Sequence, residues 1–561
     1  MASISQLFTK SADALRVTPA GPGGRRSRWS HVRRLGLKLA LFTAIMVILM
    51  VGVGHAGDPT GSNTGTAADL AAKVAGKPTT AELATELGHL KASTNLFFLI
   101  FGFSLVFFMQ TGFAILETGL TRAKNAAHVI MTNFVIFLIG VVAYWAVGFA
   151  LQFGGFGALS TFGGTQVLGH SVSIGGWGLF GTQGFFLGGG NYDVAIIGFF
   201  LFQLVFMDTA ATIPTGAMAE RWKFSAFCAY GFFMAAVTYP IYGSWVWGGG
   251  WLAGLGKNLG LGHGALDFAG SGVVHALGGF AALAGAAVIG PRIGKFNKDG
   301  SPNAIPAHHI PMVVLGTIFL VFGWIGFNGA STLAATDMRF TVIIVNTFIA
   351  SAFGGLAGMF LVWRKWGHPD PSMTANGALA GLVAITAPCA FVNTWAAAVI
   401  GLVAGILVVY AVTFVERVLK VDDPVGAVSV HGICGLWGLL SLGIFADGTY
   451  GAGFNGVPGG VTGLLYGGGG QFVAQLIDVV VVFIWGFGLM YVFFKTQDRL
   501  MGIRVSAEVE LEGLDSTEMG ISAYPDFRVG GNIGQGVFLH SPEGPGGSPL
   551  VPPTPRGATA Q

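Results

Sequence analysis

The sequence predicts an all-α polytopic membrane protein of about 11 transmembrane helices, arranged as a 5+5 inverted repeat followed by an eleventh helix. Its 561 residues are 53% hydrophobic and only 10% charged, whereas soluble globular domains carry about a quarter charged residues. About eleven apolar segments approach the roughly 20 residues that a helix needs to cross a bilayer. A pattern of one aspartate and one histidine also occurs twice, at a separation of 156 residues.

The first 94 residues are predicted to precede the membrane domain. Residues 1–34 are polar and basic, residues 39–53 are apolar, and small residues follow at Gly54 and Ala56. This order is typical of a signal peptide over residues 1–56, and an uncleaved signal anchor remains the alternative. Residues 57–94 are rich in Thr, Ala and Gly and are predicted to form an outer linker.

The apolar segments define a membrane domain over residues 95–495. Their approximate limits are 95–116, 128–151, 194–218, 224–245, 269–290, 310–328, 340–363, 375–391, 394–415, 427–446 and 472–494. Basic residues follow the odd-numbered segments, at Arg122, Lys124, Arg221, Lys223, Arg292, Lys295, Lys298, Arg364, Lys365, Arg417 and Lys420. Only Lys257 and Arg339 follow even-numbered ones. Because cytoplasmic loops carry the excess of Lys and Arg, we expect the N-terminus outside and the C-terminus inside.

Two segments of the chain follow the last span. Residues 496–525 are charged and predicted to be cytoplasmic, and residues 526–561 are rich in Gly and Pro and predicted to be disordered.

The repeated pattern lies in LDFAGSGVVHALGG, with Asp267 and His275, and in DDPVGAVSVHGICG, with Asp423 and His431. The histidines fall in the fifth and tenth segments. Five spans reverse the direction of the chain through the membrane, so the repeat is inverted, and such repeats place their site near the midplane. Ionisable groups at membrane depth mark a path for a substrate, ion or proton.

The chemistry of these four residues leaves alternatives. Two imidazoles in contact can pass a proton between them, whereas a zinc site would need three or four ligands. Only Cys434 stands at helical spacing from either histidine, so no metal is predicted. Asp267 and Asp423 precede their helices and are expected to cap them, a role that is compatible with a cation site.

Aromatic and polar residues concentrate in three other motifs: FQLVF with Phe202, Gln203 and Phe206, VWGGGW with Trp247, and GWIGFNGAS with Trp324, Phe327 and Ser331. An interfacial belt or core is one reading of such residues. An aromatic cage for a small cation, followed by a hydrophobic constriction, is the other. The residues alone leave both open.

The stretch DFAGSGVVHALGGFAALAGAAVIGPR resembles the signature of the ammonium transporter family, which includes the Amt, Mep and Rh proteins. The resemblance extends over roughly 95–525 and includes GAMAERWKFSAF, VDDPVGAVSVHGICG and EGLDSTEMG. It implies a transporter that recruits NH4+ at an outer aromatic site, deprotonates it, and conducts NH3, with or without the proton, through a hydrophobic pore with twin histidines.

The resemblance also implies roles for single residues. Those matching the recruitment site are Phe206, Trp247, Ser331 and Asp267. Those matching the gate and upper pore are Phe202, Gln203, Phe327 and Trp324. Those matching the conducting pair are His275 and His431. Because Rh-type relatives generally lack the tryptophan and serine, Trp247 and Ser331 favour the Amt branch.

The implied partners are ammonium or ammonia, methylammonium, membrane lipid, two further copies in a homotrimer, and a PII-type signal protein at the segment 496–525. Neither nucleic acid nor a cofactor is expected, and the expected location is the cell (inner or plasma) membrane. Three positions depart from the family pattern. Glu117 stands where bacterial members often have Tyr, Asp208 where a small uncharged residue is expected, and Met519 where His is usual.

Two other functions are alternatives to transport. An ammonium sensor of the same fold would bind the cation and signal to a partner with little flux. A membrane enzyme would need a nucleophile or a set of metal ligands near the histidines, and the sequence offers neither. The protein is therefore predicted not to be an enzyme.

Overall fold

The protein is described by a computed structural model that covers residues 76–164, 167–188 and 193–525. The predicted signal peptide, the first part of the outer linker and the C-terminal tail lie outside these residues. Within them, ten helices are long and apolar enough to cross a membrane, and one shorter apolar helix accompanies them. In chain order they are α1 Thr80–Leu120, α2 Ala123–Phe153, α3 Val194–Ala217, α4 Phe224–Val246, α5 Ser271–Ile289, α6 Ile310–Thr332, α7 Phe340–Trp366, α8 Pro371–Ile385 (the shorter one), α9 Thr394–Arg417, α10 Val428–Phe445 and α11 Gly469–Met501. The predicted all-α, multi-span fold class is confirmed.

Helix α1 begins in the predicted linker. Thr79 and Glu82 form a reciprocal cap in which Thr79 Oγ1 accepts from the Glu82 N–H at 3.2 Å and the Glu82 carboxylate accepts from the Thr79 N–H at 2.6 Å. This arrangement satisfies backbone donors that a helix otherwise leaves unpaired at its start. Residues 80–94 are too polar for a hydropathy pattern to include them in the first predicted span, which begins at residue 95. In the structure they form the first part of the same helix.

Helix α8 corresponds to the eighth predicted segment but has only 15 residues, about 22 Å of helix. The chain continues through a turn that begins at residue 386, where the carbonyls of Thr386 and Ala387 accept from the N–H groups of Ala269 and Phe268, respectively, at 3.2 Å. Irregular backbone is tolerated at membrane depth where protein surrounds it. This segment supports the entry to α5 and thereby the site.

The smaller elements lie in the loops. Two antiparallel hairpins pair β1 Gly157–Ala158 with β2 Val167–Leu168, and β3 Ser171–Ile174 with β4 Trp177–Gly181. Short helical turns occupy Ser160–Phe162, Phe185–Leu187, Leu255–Leu259, Phe454–Gly456 and Leu464–Tyr466, and a further helix, α12, spans Ala507–Glu512.

Glycines allow the helices to approach closely. On α1 and α6, a Cβ added to Gly112 would lie 2.9 Å from the carbonyl oxygen of Gly316, and one added to Gly316 would lie 2.7 Å from that of Gly112. Small residues form helix interfaces in lipid for this reason. Outward-facing apolar side chains such as Phe97 and Phe134, which are 73% and 57% exposed, fit contact with lipid or a neighbouring subunit.

Helices α5 and α10 cross at equivalent positions of the repeat. A Cβ on Gly279 would overlap the backbone nitrogen of Gly432, and one on Gly435 would lie 2.9 Å from the backbone nitrogen of Ala276. Gly279 and Gly435, and likewise Ala276 and Gly432, are 156 residues apart. Both helices open with a wide π-helical segment, Ser271–Ala276 and Val428–Ile433. The structure therefore repeats the local geometry as well as the motif.

A buried ionic network joins the loops at one face of the molecule. Glu220, at the end of α3, pairs with Arg122 and, at 2.6 Å, with Arg292. Arg292 also pairs with Asp422 at 2.8 Å. Burial alone would raise the pKa of the Asp422 carboxyl, but its bonds to Arg292 and the nearby charges hold that pKa below its ordinary value. Glu220 thus has a structural role, because it joins the loops after α1 and α5 through its two ion pairs.

The segment after α11 packs on the same face. Asp515 Oδ1 accepts from the N–H of His128 at 2.9 Å, and Glu518 Oε2 accepts from the N–H of Phe224 at 2.8 Å. These bonds tie residues beyond α12 to the starts of α2 and α4. The predicted cytoplasmic segment thus lies beside the basic loops that follow the odd-numbered spans.

Candidate functional site

A cavity of about 470 Å³, the aromatic vestibule, opens at the end of the molecule opposite the ionic network. Among its lining are five of the ten predicted site residues: Phe202, Gln203, Phe206, Trp247 and Ser331. Buried Gln203 Oε1 has no hydrogen-bond partner among the described residues. The vestibule therefore combines ring faces with the polar side chains of Gln203 and Ser331.

Asp267 lies behind this cavity and caps α5. Its Oδ1 accepts from the N–H groups of Gly270 and Ser271, both at 2.9 Å, and its Oδ2 from those of Gly272 and Val273, both at 2.8 Å. Asp423 caps α10 with fewer bonds of the same kind, to Gly426 and Val428.

Both caps require a glycine in the left-handed region. Gly270 has φ +120° and Gly426 has φ +80°, and these two residues are repeat equivalents. Side chains other than glycine rarely adopt such a φ. The predicted capping role of both aspartates is therefore confirmed, and the Asp267 carboxylate is fully engaged with backbone donors.

The backbone carbonyl of Asp267 fixes Trp247 at the vestibule. It accepts from Trp247 Nε1 at 2.6 Å and from Asn455 Nδ2 at 3.0 Å. The cap thus orients the Trp247 ring through the main chain. Asn455 also lines the vestibule and was missed from the sequence, because it stands in a glycine-rich loop without a motif.

A stack of phenyl rings separates the vestibule from the interior. The rings of Phe206 and Phe327 lie 4.3 Å apart between centroids, and Phe202 lies 4.8 Å from Phe206. Trp247 meets Phe206 edge-on at 6.0 Å. Ser331 Oγ, whose side chain lines the vestibule, donates to the carbonyl of Phe327 at 2.6 Å. The structure thus brings the predicted gate and recruitment residues together.

His275 and His431 form a buried pair beneath these rings. Their Nδ1 atoms are 3.2 Å apart and their rings stack at 5.3 Å. His275 also stacks against Phe327 at 5.4 Å and against Trp324 at 5.2 Å. The side chains are 0% and 6% exposed, respectively. The rings from Trp247 to His431 therefore form one continuous series through the protein.

The hydrogen bond between the histidines sets their tautomers. When both rings are neutral, one Nδ1 carries the proton and the other accepts it, so one ring has a bare Nε2 and the other has an Nε2–H. His275 Nε2 has no hydrogen-bond partner among the described residues. The pair can therefore accept a proton at one end and release one at the other.

Trp324 is held by a residue that the sequence did not single out. Its Nε1 donates to Thr386 Oγ1 at 2.9 Å, and Thr386 directly follows the last residue of α8, at the start of a turn. A tryptophan with its only donor satisfied presents an apolar face to the neighbouring His275 and Phe327 rings. No motif in the sequence pointed to Thr386, because the contact depends on the early end of α8.

Beyond the histidines lies a second, smaller cavity of about 20 Å³, which we call the chamber. Phe113, Glu117, Asn376 and His431 are among its lining residues, and Phe113 lies 6.1 Å from the His431 ring. Asp208, the other acidic departure, is buried on α3 with its Oδ1 unpartnered among the described residues. No group of three or more His, Cys, Asp or Glu in the described part of the chain is arranged to hold a metal ion.

Comparison with known sequences identifies a family. Residues 96–524 match the profile of the Ammonium Transporter Family. Ammonium transporter Amt2 of Archaeoglobus fulgidus is 50% identical over 432 residues, covering 76% of this chain and 87% of that protein. Ammonium transporter 1 member 3 of Solanum lycopersicum is 36% identical over 451 residues, covering 77% and 93%.

Solved structures give the same fold. A structure titled "Sensor Amt Protein" superimposes with a TM-score of 0.66 at 37% identity, covering 76% of this chain and 99% of the other. Mep2 of Candida albicans superimposes with a TM-score of 0.63 at 29% identity, covering 74% and 87%. With a helical membrane fold, a profile match over most of the membrane domain and relatives of this identity, the chain belongs to the ammonium transporter family.

Proposed function

We propose that the protein transports ammonium by recruiting NH4+ in the aromatic vestibule and passing ammonia along the histidine pair. The observation that carries the proposal is the placement of two hydrogen-bonded, buried histidines directly beneath the stacked Phe206 and Phe327 rings. Membership of the family supports ammonium as the cargo.

Recruitment depends on ring faces and oxygen acceptors. A cation near Trp247 and Phe206 gains from the negative faces of their rings, by about 0.5–2 kcal/mol for each favourable contact. Ser331 and Gln203 supply oxygens that accept from the N–H groups of ammonium. Asp267 contributes by fixing Trp247, since its carboxylate is already bonded to four backbone N–H groups.

Selectivity follows from the apolar path beyond the gate. Moving an intact cation through such a path costs several kcal/mol or more. Ammonium can leave its proton behind and cross as neutral ammonia, whereas potassium has no neutral form. The fully buried rings of Trp324 and Phe327 therefore discriminate by excluding charge.

The histidine pair provides a path for the released proton. One bare Nε2 receives it, the shared Nδ1 proton shifts across the 3.2 Å bond, and the second ring releases its Nε2 proton. Each ring gains one proton and loses one, so the pair ends neutral. Transport by this route carries net charge.

The proposal includes an N-outside, C-inside orientation in the cell membrane and assembly as a homotrimer. The loop charges support the orientation, and the exposed apolar helix faces support lateral contacts. The segment 496–525, docked beside the basic loops, is the proposed attachment site of a PII-type signal protein.

Currents and fluxes across liposomes containing the purified protein test the proposal. Ammonium and methylammonium should produce inward current and flux, and potassium at the same concentration should produce neither. Tight ammonium binding without current or flux would instead establish the alternative function, an ammonium sensor. One of the similar solved structures is titled as a sensor.

A further inference from the structure

We propose that the chamber between His431 and Glu117 is a second cargo site, in which the Glu117 carboxyl group binds one ammonium or ammonia molecule. The inference rests on the proposed transport and concerns the end of the path opposite the vestibule. Glu117 lies near the end of α1, level with Thr215 near the end of α3. Thr215 is 13 residues beyond Phe202, about 20 Å along the same helix.

The size of the chamber fits a single small molecule. Its volume is about 20 Å³, and about 10–15 Å³ is enough to hold one water molecule. Ammonia has one heavy atom, as water does, so it occupies a comparable space. Cargo leaving the histidine pair must therefore pass singly and in contact with the chamber walls.

The walls offer few polar groups, and one of them is an ionisable carboxyl group. Most of the lining is apolar, and its polar members are Glu117, Asn376 and His431. Asn376 already donates to the carbonyl of Val425 at 3.3 Å. The Glu117 carboxyl is thus the strongest available acceptor for an ammonium N–H group, since charged hydrogen bonds are the stronger ones.

Neighbouring side chains hold this carboxyl in place. Asn133 Nδ2 donates to Glu117 Oε2 at 2.7 Å, and Thr215 Oγ1 lies 2.7 Å from Oε2 and 3.0 Å from Oε1. A Cβ on Gly216 would lie 3.0 Å from Oε1 and would also overlap Val425, another residue lining the chamber. Gly216 therefore leaves space for the carboxyl at the chamber wall.

The threonine hydroxyl suits either protonation state of Glu117. Thr215 Oγ1 also lies 2.7 Å from the carbonyl oxygen of Thr212. Its single proton can point to an ionised Glu117, or turn to Thr212 while the hydroxyl oxygen accepts from a protonated Glu117. The site can thus hold ammonium beside a carboxylate or ammonia beside a carboxylic acid, two arrangements that share the same proton. His431 is the other titratable group in the chamber lining, and Asp423, before the start of α10, acts electrostatically on Glu117.

Uptake measured separately from the two faces tests this site. Right-side-out and inside-out vesicles containing the full-length protein would take up 15N-ammonium over a range of concentrations. The variant Glu117→Gln keeps the shape of the side chain but removes its charge. It should raise the half-saturating concentration about tenfold from the chamber face, the effect of losing one hydrogen bond to a charged group. The value from the vestibule face should stay unchanged.

Two comparison variants make the test specific. Trp247→Leu should have the opposite pattern. It should raise the half-saturating concentration measured from the vestibule face and leave the value from the chamber face unchanged. Asp478→Asn removes a buried carboxylate that accepts a hydrogen bond from Tyr242 away from the chamber. This variant should leave the half-saturating concentration unchanged at both faces.

An unchanged half-saturation for Glu117→Gln at the chamber face would overturn the second site. If that variant does not fold, Thr215→Val decides in its place, and it should shift the same value by about threefold because one hydrogen bond is lost. If the wild-type protein takes up ammonium from neither face, the proposed transport itself is overturned.

Discussion

At the scale of single residues, the two histidines differ from an ordinary buried histidine in that each is the other's hydrogen-bond partner. His128 on α2 provides the contrast. It is buried and packed against Phe224 at 5.8 Å, yet neither ring nitrogen has a hydrogen-bond partner among the described residues. Burial alone therefore does not distinguish His275 and His431 from His128; the pairing does.

Replacing His275 with alanine should abolish proton transfer while leaving the protein folded. Because the Nδ1 bond to His431 would be lost, we expect the ammonium current to fall at least about tenfold, since positioned proton-transfer groups contribute that much or more. Recordings on protein in liposomes measure the current, and size-exclusion chromatography checks folding. His128→Ala is the matched control. Wild-type current together with unaltered preference for ammonium over potassium would contradict the role given to His275.

Asn455 should affect recruitment of the cation. The variant Asn455→Gly removes its bond to the Asp267 carbonyl without straining the backbone, which has φ +51° there. Loss of one hydrogen bond costs about 1 kcal/mol, so the half-saturating ammonium concentration should rise about fivefold. The maximal rate should be unchanged, because the histidine pair is untouched. A lower maximal rate with unaltered half-saturation would show that Asn455 acts elsewhere.

At the scale of elements, the crossing of α5 and α10 determines where the histidines meet. Gly279 lies one turn beyond His275 and directly against the backbone of Gly432, the residue after His431. The distance between the helix axes at this point thus sets the distance between the two rings.

Gly279→Ala should therefore destabilise the protein and separate the rings. Its Cβ must displace backbone, and overpacking of this kind costs about 1–3 kcal/mol. The matched control is Gly488→Ala on α11, where a Cβ meets nothing within 4 Å. We expect a lower thermal midpoint in detergent and a reduced ammonium current for the first variant only. Equal midpoints for the two variants would argue against a rigid crossing.

At the scale of the whole molecule, the ionic network joins four loops at the face opposite the vestibule. Since bonds to Arg292 hold the pKa of Asp422 below its ordinary value of 3.8, Asp422 stabilises the folded state fully above that pH. This contribution is lost as the pH falls below 3.8, because protonation breaks the pair.

Thermal midpoints measured in detergent against pH can isolate this effect. The wild-type protein should lose stability below pH 3.8, by about 1.4 kcal/mol for each unit by which the pKa is depressed. Asp422→Asn should be less stable at neutral pH and should lose less on acidification. Glu86→Gln, which changes an exposed carboxylate on α1, should follow the wild-type curve. Parallel curves for wild type and Asp422→Asn would show that the network does not titrate as inferred.

The sequence predicted the fold and the equivalence of the two histidines because both depend on patterns that can be read along the chain. Apolar length predicts spans, and the repeated Asp-to-His spacing predicts that His275 and His431 are equivalent. Thr386 and Asn455 could not be predicted in the same way. Their contacts depend on where α8 ends and on how a glycine-rich loop folds over the vestibule, and neither is a local property of the chain.

The opposite tautomers of the histidine pair have a consequence for repeated cycles. Once a proton has passed, the ring that donated now accepts, so the pair is left in the reverse state. Before another proton can follow in the same direction, both imidazole rings must flip, or a proton must return through the pair in the opposite direction. Ammonia crossing alone leaves the pair as it was. Charge movement therefore requires the histidine pair to be reset after each proton, whereas the passage of neutral ammonia does not. The rate of this reset, compared with the rate of ammonia passage, determines how many charges accompany each nitrogen atom.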